Sequence, residues 1–487
     1  MKPWFSIVSL ALMVGGPFLF AQSATEGWIP LFDGKSLNGW RANENPQSFR
    51  VENGQIVADG SWSHLFYRGE VNRANFKNFE LRADIKPTRD ANSGIFFHTA
   101  WQQSGSLSKG YEVQVKNSPF SKNNEIKKTG SLYAVRNVYK SAIDDKEWFT
   151  LHIVVQGKRV LVFVNDVQTV NYTEPAIPPR TANRAERILS KGTFALQCHD
   201  PESKTYFKNI FVKPLPDESP LEPGRDYFPS AKASQVELLI NQGYPLIDFH
   251  VHLKGGLTLK EVVDKSQRTG IFCGIAPNCG VGFPIDTNEK LEQFYAEHRN
   301  IPVFLAMQAE GREWVHTFKK ESIAKFDYVF TDAMTFTDDN GKRMRLWMKN
   351  EVGEIPDPQA FTDMYVRRIL SVLNDEKIDI YVNPTFLPES IASRYDELWT
   401  EERINKVTDA LVKNGIALEI NARYKIPSVK FIRLAKAKGV KFAFGTNNTD
   451  QDFANLDYCL QVLKECDLKP GDMFFPKPDG QKPIQRK

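Results

Sequence analysis

The 487-residue chain contains no block of lysine and arginine and no low-complexity run. Its formal charge of only +4 points away from nucleic acid and anionic membrane surfaces as partners. Cysteine is scarce. Cys198, Cys273, Cys279, Cys459 and Cys466 form an odd, sparse set, which argues against a disulfide framework. Cys273 and Cys279 have neither the spacing nor the companions of a zinc site. Most of the five therefore read as small buried apolar residues. No cysteine follows the apolar N-terminal stretch, so nothing there marks a lipid-modified terminus.

A hydrophobic content of 41% and a charged content of 25% are those of a soluble globular protein, and the length predicts two domains or more. Residues 1–23 have a lysine at position 2, an apolar run and Ala21-Gln22-Ser23 before Ala24, which is the pattern of a secretory signal. Gly15, Gly16 and Pro17 interrupt the run, so a membrane anchor fits less well. The expected mature protein is exported, to a periplasm first and otherwise secreted, with no membrane span after signal removal.

The hydrophobic period changes partway along the chain. Residues 24–215 read as short alternating strands. "NFELRADIKP" puts Phe79, Leu81, Ala83 and Ile85 on one face, and "WFTLHIVVQGKRVLVFVNDVQTVNYT" reads as two hairpins turning at Gly157 and at Asn165-Asp166. With no convincing amphipathic helix, this half predicts an all-β jelly-roll sandwich. A proline-rich linker over 216–230 follows. Residues 231–487 alternate seven strand-like runs with helical segments, which predicts an α/β barrel of about seven βα units. In such barrels the C-terminal strand ends carry the site.

In "GYEVQV", Tyr111, Val113 and Val115 share one face, and Glu112 and Gln114 share the other. In "GTFALQCHD", Gln197 and His199 lie opposite Phe194, Leu196 and Cys198. Each strand thus offers an acid/base group two residues from an amide. These residues could equally be solvent-facing, or form a carbohydrate-binding face without catalysis. His64 and His152 read as structural, and His298 and His316 as surface histidines.

Six ordered segments, "LFDGKSLNGW", "NSGIFFH", "GYEVQV", "TGSLY", "LQCHD" and "YFKNIFVKPL", resemble the 3-keto-disaccharide hydrolase family over Trp28 to Leu215. The resemblance implies a concanavalin-like jelly roll and cleavage of an oligosaccharide or glycoside oxidised at C3. A C3 ketone acidifies the C2 hydrogen, so a base can remove it, the C1 substituent leaves by β-elimination, and water adds back. It casts His199 as the proton-transfer residue, with Glu112 as its partner or rival. Gln114, Gln197, Tyr133, His98 and Lys208 become substrate-binding candidates. His98 and Lys208 stand where that family usually has arginine.

"DFHVH" and its neighbours resemble the polymerase and histidinol phosphatase superfamily, a distorted barrel of seven βα units. That likeness implies His250, His252, Glu310, Asp332 and Glu419 as ligands of a single divalent metal. Asn383, Asn447 and Thr449 stand where histidine, aspartate and histidine are expected, and amides and hydroxyls hold transition metals poorly. Arg312, Arg343, Arg345 and Arg423 could form an anion-binding rim. Two readings stay open. Either the sandwich is the catalyst and the barrel is an accessory or second site, or a carbohydrate-binding sandwich serves a metal-dependent hydrolase barrel.

Overall fold

The computed structural model describes residues 26–118, 125–141, 143–217, 224–338 and 341–486. The expected signal segment and the middle of the expected linker lie outside them.

The N-terminal half is two antiparallel sheets. The front sheet contains β1 (Trp40–Ala42), β2 (Ser63–Tyr67), β3 (Ser93–Thr99), β4 (Tyr111–Val115) and β5 (Thr193–Cys198), in the order β1-β2-β5-β3-β4. The eight-stranded back sheet includes the expected strand Phe79–Pro87 and the two expected hairpins over Phe149–Thr173. Asn165 and Asp166 both adopt positive φ at their turn, the backbone a tight two-residue hairpin requires. Side chains from both sheets, among them Leu81, Ile85, Leu65, Ile95, Val113 and Leu196, fill the space between them.

The C-terminal half closes into a parallel barrel. Its strands are β6 (Ile247–Val251), β7 (Phe272–Ile275), β8 (Phe304–Ala309), β9 (Tyr328–Thr331), β10 (Ile380–Tyr381), β11 (Ala417–Asn421) and β12 (Phe442–Gly445). They pair in chain order, and β6 against β12 completes the ring. All seven strand runs expected from the sequence are present. Aromatic and small residues, including Phe249, Phe304, Tyr328, Phe330 and Ala443, fill the interior.

The two halves pack together. Val138 and Tyr139 of the sandwich join the barrel interior at the N-terminal strand ends, where Tyr139 meets Phe272 edge-on at 5.5 Å. Beside them, Glu237 on α1 (Ser230–Asn241) is ion-paired with Arg136 and Arg180 of the sandwich. The C-terminal strand ends of the barrel are left open. All five cysteines are buried and free, as their scarcity suggested. No helix among the described residues is long and apolar enough to cross a membrane.

Candidate functional site

Strand alternation sends Tyr111, Val113 and Val115 into the sandwich core, so Glu112 and Gln114 emerge on the other face of the front sheet. They do not meet solvent. The segments around Leu107, Tyr133 and Arg184 cover that face and leave a cavity of about 310 Å3. Cross-strand register fixes the cavity floor: Gln197 lies opposite His64, and Phe96 opposite Glu112. His199, Gln114, Gln197, Tyr133 and Glu112 all line this one cavity, which brings five of the seven sandwich candidates together.

Five buried polar atoms in it have no hydrogen-bond partner among the described residues: both ring nitrogens of His64, Oε1 of Gln114, Oε1 of Gln197 and Nη1 of Arg187. Leaving a polar atom buried without a partner costs roughly 1–3 kcal/mol, so such a concentration is the mark of a site built for a polar ligand. His199 Nδ1 is 2.7 Å from Asp200 Oδ2, which also accepts from Ser203 Oγ. That carboxylate fixes the imidazole tautomer and leaves Nε2 free for proton transfer. Burial raises the Asp200 carboxyl, but the hydrogen bonds from His199 and Ser203 outweigh it and leave the group below the ordinary carboxylate range. Burial pushes the Glu112 carboxyl up, against the pull of the Arg187 guanidinium, whose Nη1 lies 3.6 Å from Glu112 Oε2. Trp62 packs edge-on against both His64 and His199. Tyr133 donates to Glu125, which also pairs with Lys127.

Gly94 faces Glu112, and a Cβ there would lie 2.8 Å from Oε1 and 3.1 Å from Cγ of that carboxylate. Gly94→Ala should therefore displace the carboxylate without unfolding the sheet. The expected loss of turnover is about 100-fold, the scale of an ångström's misplacement, with little change in Tm. Steady-state kinetics beside a melting curve would check it.

His98 and Lys208 are corrected by the structure. His98 should share the face of Phe96, but its φ of 54° and a bulge in the β3–β5 pairing turn it into the core. There Nε2 lies 2.8 Å from the Lys77 carbonyl, and Nδ1 accepts from the Ser190 N–H. Lys208 belongs to the back sheet, with its ammonium 4.1 Å from the Trp148 ring centre. His64 was expected to be structural and instead faces the cavity. Burial first, then the charges of His199 and Arg187, hold its imidazole down at about 3. An unfolded chain takes up that proton near 6.5 while the folded one does not, so folding weakens from about pH 6.5 down to 3, by about 1.4 kcal/mol per pH unit at most. His64→Gln should flatten the fall of Tm between pH 6 and 4, as calorimetry would show.

Arg184 and Arg187 sit in a loop with no periodic pattern, so no local signal marked them. Asp200 was legible as the residue after His199. His152 bonds Glu80 as a structural residue, His316 is exposed, and His298 is half-buried on the Phe294 carbonyl rather than at the surface.

The five expected metal ligands all come to the open end of the barrel but do not form a ligand set. His250 Nδ1 is 2.6 Å from Glu419 Oε1, and its Nε2 is 3.3 Å from Gln308 Oε1. His252 Nδ1 is 2.7 Å from the Ala276 carbonyl. Glu310 accepts from Asn278 and Gln308, and Asp332 from Asn383 and the Met334 N–H. Among the described residues no three His, Cys, Asp or Glu side chains converge in an arrangement able to hold a metal ion. The arginine rim divides: Arg345 and Arg423 line the barrel mouth, while Arg312 and Arg343 line a separate cavity. Arg312 is paired with Glu376 and Arg345 with Glu351.

Residues 27–213 match the profile of a family described as the 3-keto-alpha-glucoside-1,2-lyase-like domain. A 3-keto-disaccharide hydrolase of Bacteroides thetaiotaomicron is 37% identical over 79 residues, which are 15% of this chain and 27% of the relative. The match thus spans about a quarter of that relative's length. Two solved structures are similar to part of the chain. A Parabacteroides distasonis protein provisionally named a glycosyl hydrolase shares 23% identity, covering 39% of this chain and 95% of its own, with a TM-score of 0.33. The carbohydrate-binding module CBM66 of Bacillus subtilis shares 16%, covering 36% and 95%, with a TM-score of 0.25. The matched segment corresponds to the sandwich, and the profile match ends at residue 213, before the barrel begins.

Proposed function

We propose that the sandwich cavity cleaves glycosides carrying a ketone at C3. The observation that carries this reading is the convergence of five buried polar atoms that lack a hydrogen bond around the His199–Asp200 pair, within the segment that matches the keto-glucoside family. The match and the relative's name favour a hydrolase-type enzyme acting on a glycoside.

His199 Nε2 takes the C2 proton, and the electron pair moves toward the C3 oxygen as an enolate. The enolate collapses, C1=C2 forms, and the C1–O bond breaks. Glu112, whose buried carboxyl is raised, protonates the departing oxygen. Water then adds at C1 and a proton at C2, giving the free keto sugar. Arg187, whose Nη1 is ion-paired with Glu112 at 3.6 Å but makes no hydrogen bond, is a cationic donor suited to the developing negative oxygen. The acceptor oxygens of Gln114 and Gln197 suit sugar hydroxyls, and Tyr133 closes the wall. Export to a periplasm belongs to this proposal and rests on the N-terminal sequence alone.

The test is release of nitrophenol from a nitrophenyl 3-keto-glucoside by the full chain. On this reading release continues in a chelator and in His252→Ala, and is lost in His199→Ala. Loss with chelator or His252→Ala, with His199→Ala still active, would move the reaction to the barrel and sink the proposal.

A further inference from the structure

The open end of the barrel holds a cavity of about 980 Å3, at the upper end of the roughly 300–1,000 Å3 range of ligand pockets. Glu310, Asp332 and Asn383 line it, Asn383 bonds the buried Glu419, and protein donors already hold all three carboxylates. Glu419 Oε1 faces His250, and its Oε2 accepts from the Asn383 N–H and the Asn421 amide. Asn383 is the hub. Its Nδ2 donates to Asp332, and its Oδ1 accepts from Asn421 and Asn447. Each carboxylate already accepts from a protein donor, which leaves fewer of its lone pairs to a cation. Asn383 and Asn447 both adopt a left-handed backbone, φ 48°, at the ends of β10 and β12. That conformation suits asparagine, and non-glycine residues held in it cluster at functional sites.

The lining also includes Trp347, Phe386 and Tyr424, with Trp347 39% exposed. An exposed indole beside fixed amides and carboxylates matches the chemistry of a sugar, whose C–H face stacks on aromatic rings and whose hydroxyls both donate and accept. Four cations of the lining, Lys254, Arg345, Lys349 and Arg423, face four carboxyl groups, Glu310, Asp332, Glu354 and Glu389, so the formal charges of the site cancel.

We propose that the barrel mouth is a second binding site, one that takes a neutral saccharide without a metal ion. It does not depend on the reading given for the sandwich cavity. The test is calorimetric titration of the full chain with maltose, cellobiose and sucrose, none of which carries a C3 ketone, with inorganic phosphate and zinc chloride in parallel. Binding of at least one sugar is expected, unchanged after exhaustive dialysis against a chelator. Trp347→Ala and Asn383→Ala should each weaken it by about tenfold or more, the effect of removing an anchor, and His199→Ala should leave it intact. Trp347 is partly exposed, so its variant keeps the test valid even if Asn383→Ala fails to fold. The proposal is overturned if none of the sugars binds, if binding ignores both barrel substitutions, if phosphate binds in their place, or if a stoichiometric divalent ion is needed.

Discussion

Alanine in place of His199 is expected to lower kcat on a nitrophenyl 3-keto-glucoside by about 10²–10⁴-fold, the range for loss of a positioned general base. KM should change much less, because Gln114, Gln197, Arg187 and His64, which would bind the sugar, stay in place. Asp200→Asn separates orientation from proton transfer. It keeps the shape beside His199 Nδ1 but removes the carboxylate that orients the ring and would stabilise an imidazolium, so kcat should fall with little change in KM. A purely structural role for His199 would lower folded yield and leave the kcat of the folded fraction unchanged. Glu112→Gln gives the complementary result. It should slow poor leaving groups more than nitrophenol, which departs without a proton.

The sequence carried the fold further than the site. Period two in the first half and repeated strand–helix units in the second were enough for a sandwich and a closed barrel. Alternation also placed Glu112, Gln114, Gln197 and His199 on one face. It failed at His98, because a single left-handed residue reverses the face and no pattern in "SGIFFHT" announces the bulge. It also missed Arg187, which reaches Glu112 from a loop 75 positions away, since loops have no period to read. His64 needed the register of β2 against β5, which pairs it with Gln197 and is invisible without the sheet order. The barrel's histidines and carboxylates are present at the strand ends, but the asparagines and glutamine between them have taken their hydrogen bonds.

The largest expected effect on stability lies away from both cavities, at Glu237. Its carboxylate is buried on α1, where Oε1 accepts from Tyr172 Oη at 2.8 Å and pairs with Arg180, and Oε2 lies 3.4 Å from Arg136. Both guanidiniums are themselves buried, so Glu237→Leu would strand two cations in a dry interface. Breaking a buried pair in this way costs about 3–5 kcal/mol. The midpoint of urea unfolding should fall accordingly, and Arg180→Leu added to Glu237→Leu should recover part of the loss, because one stranded charge is then removed. Arg180 Nη2 also donates to Tyr111 Oη at 2.8 Å, and Tyr111 is the neighbour of Glu112 on β4. The barrel helix is thus tied through two side chains to the strand carrying the proposed acid. Glu237→Leu should consequently lower kcat on the keto-glucoside under conditions where the variant is still folded. Destabilisation with kcat intact would mean that the interface holds the halves together without positioning the site.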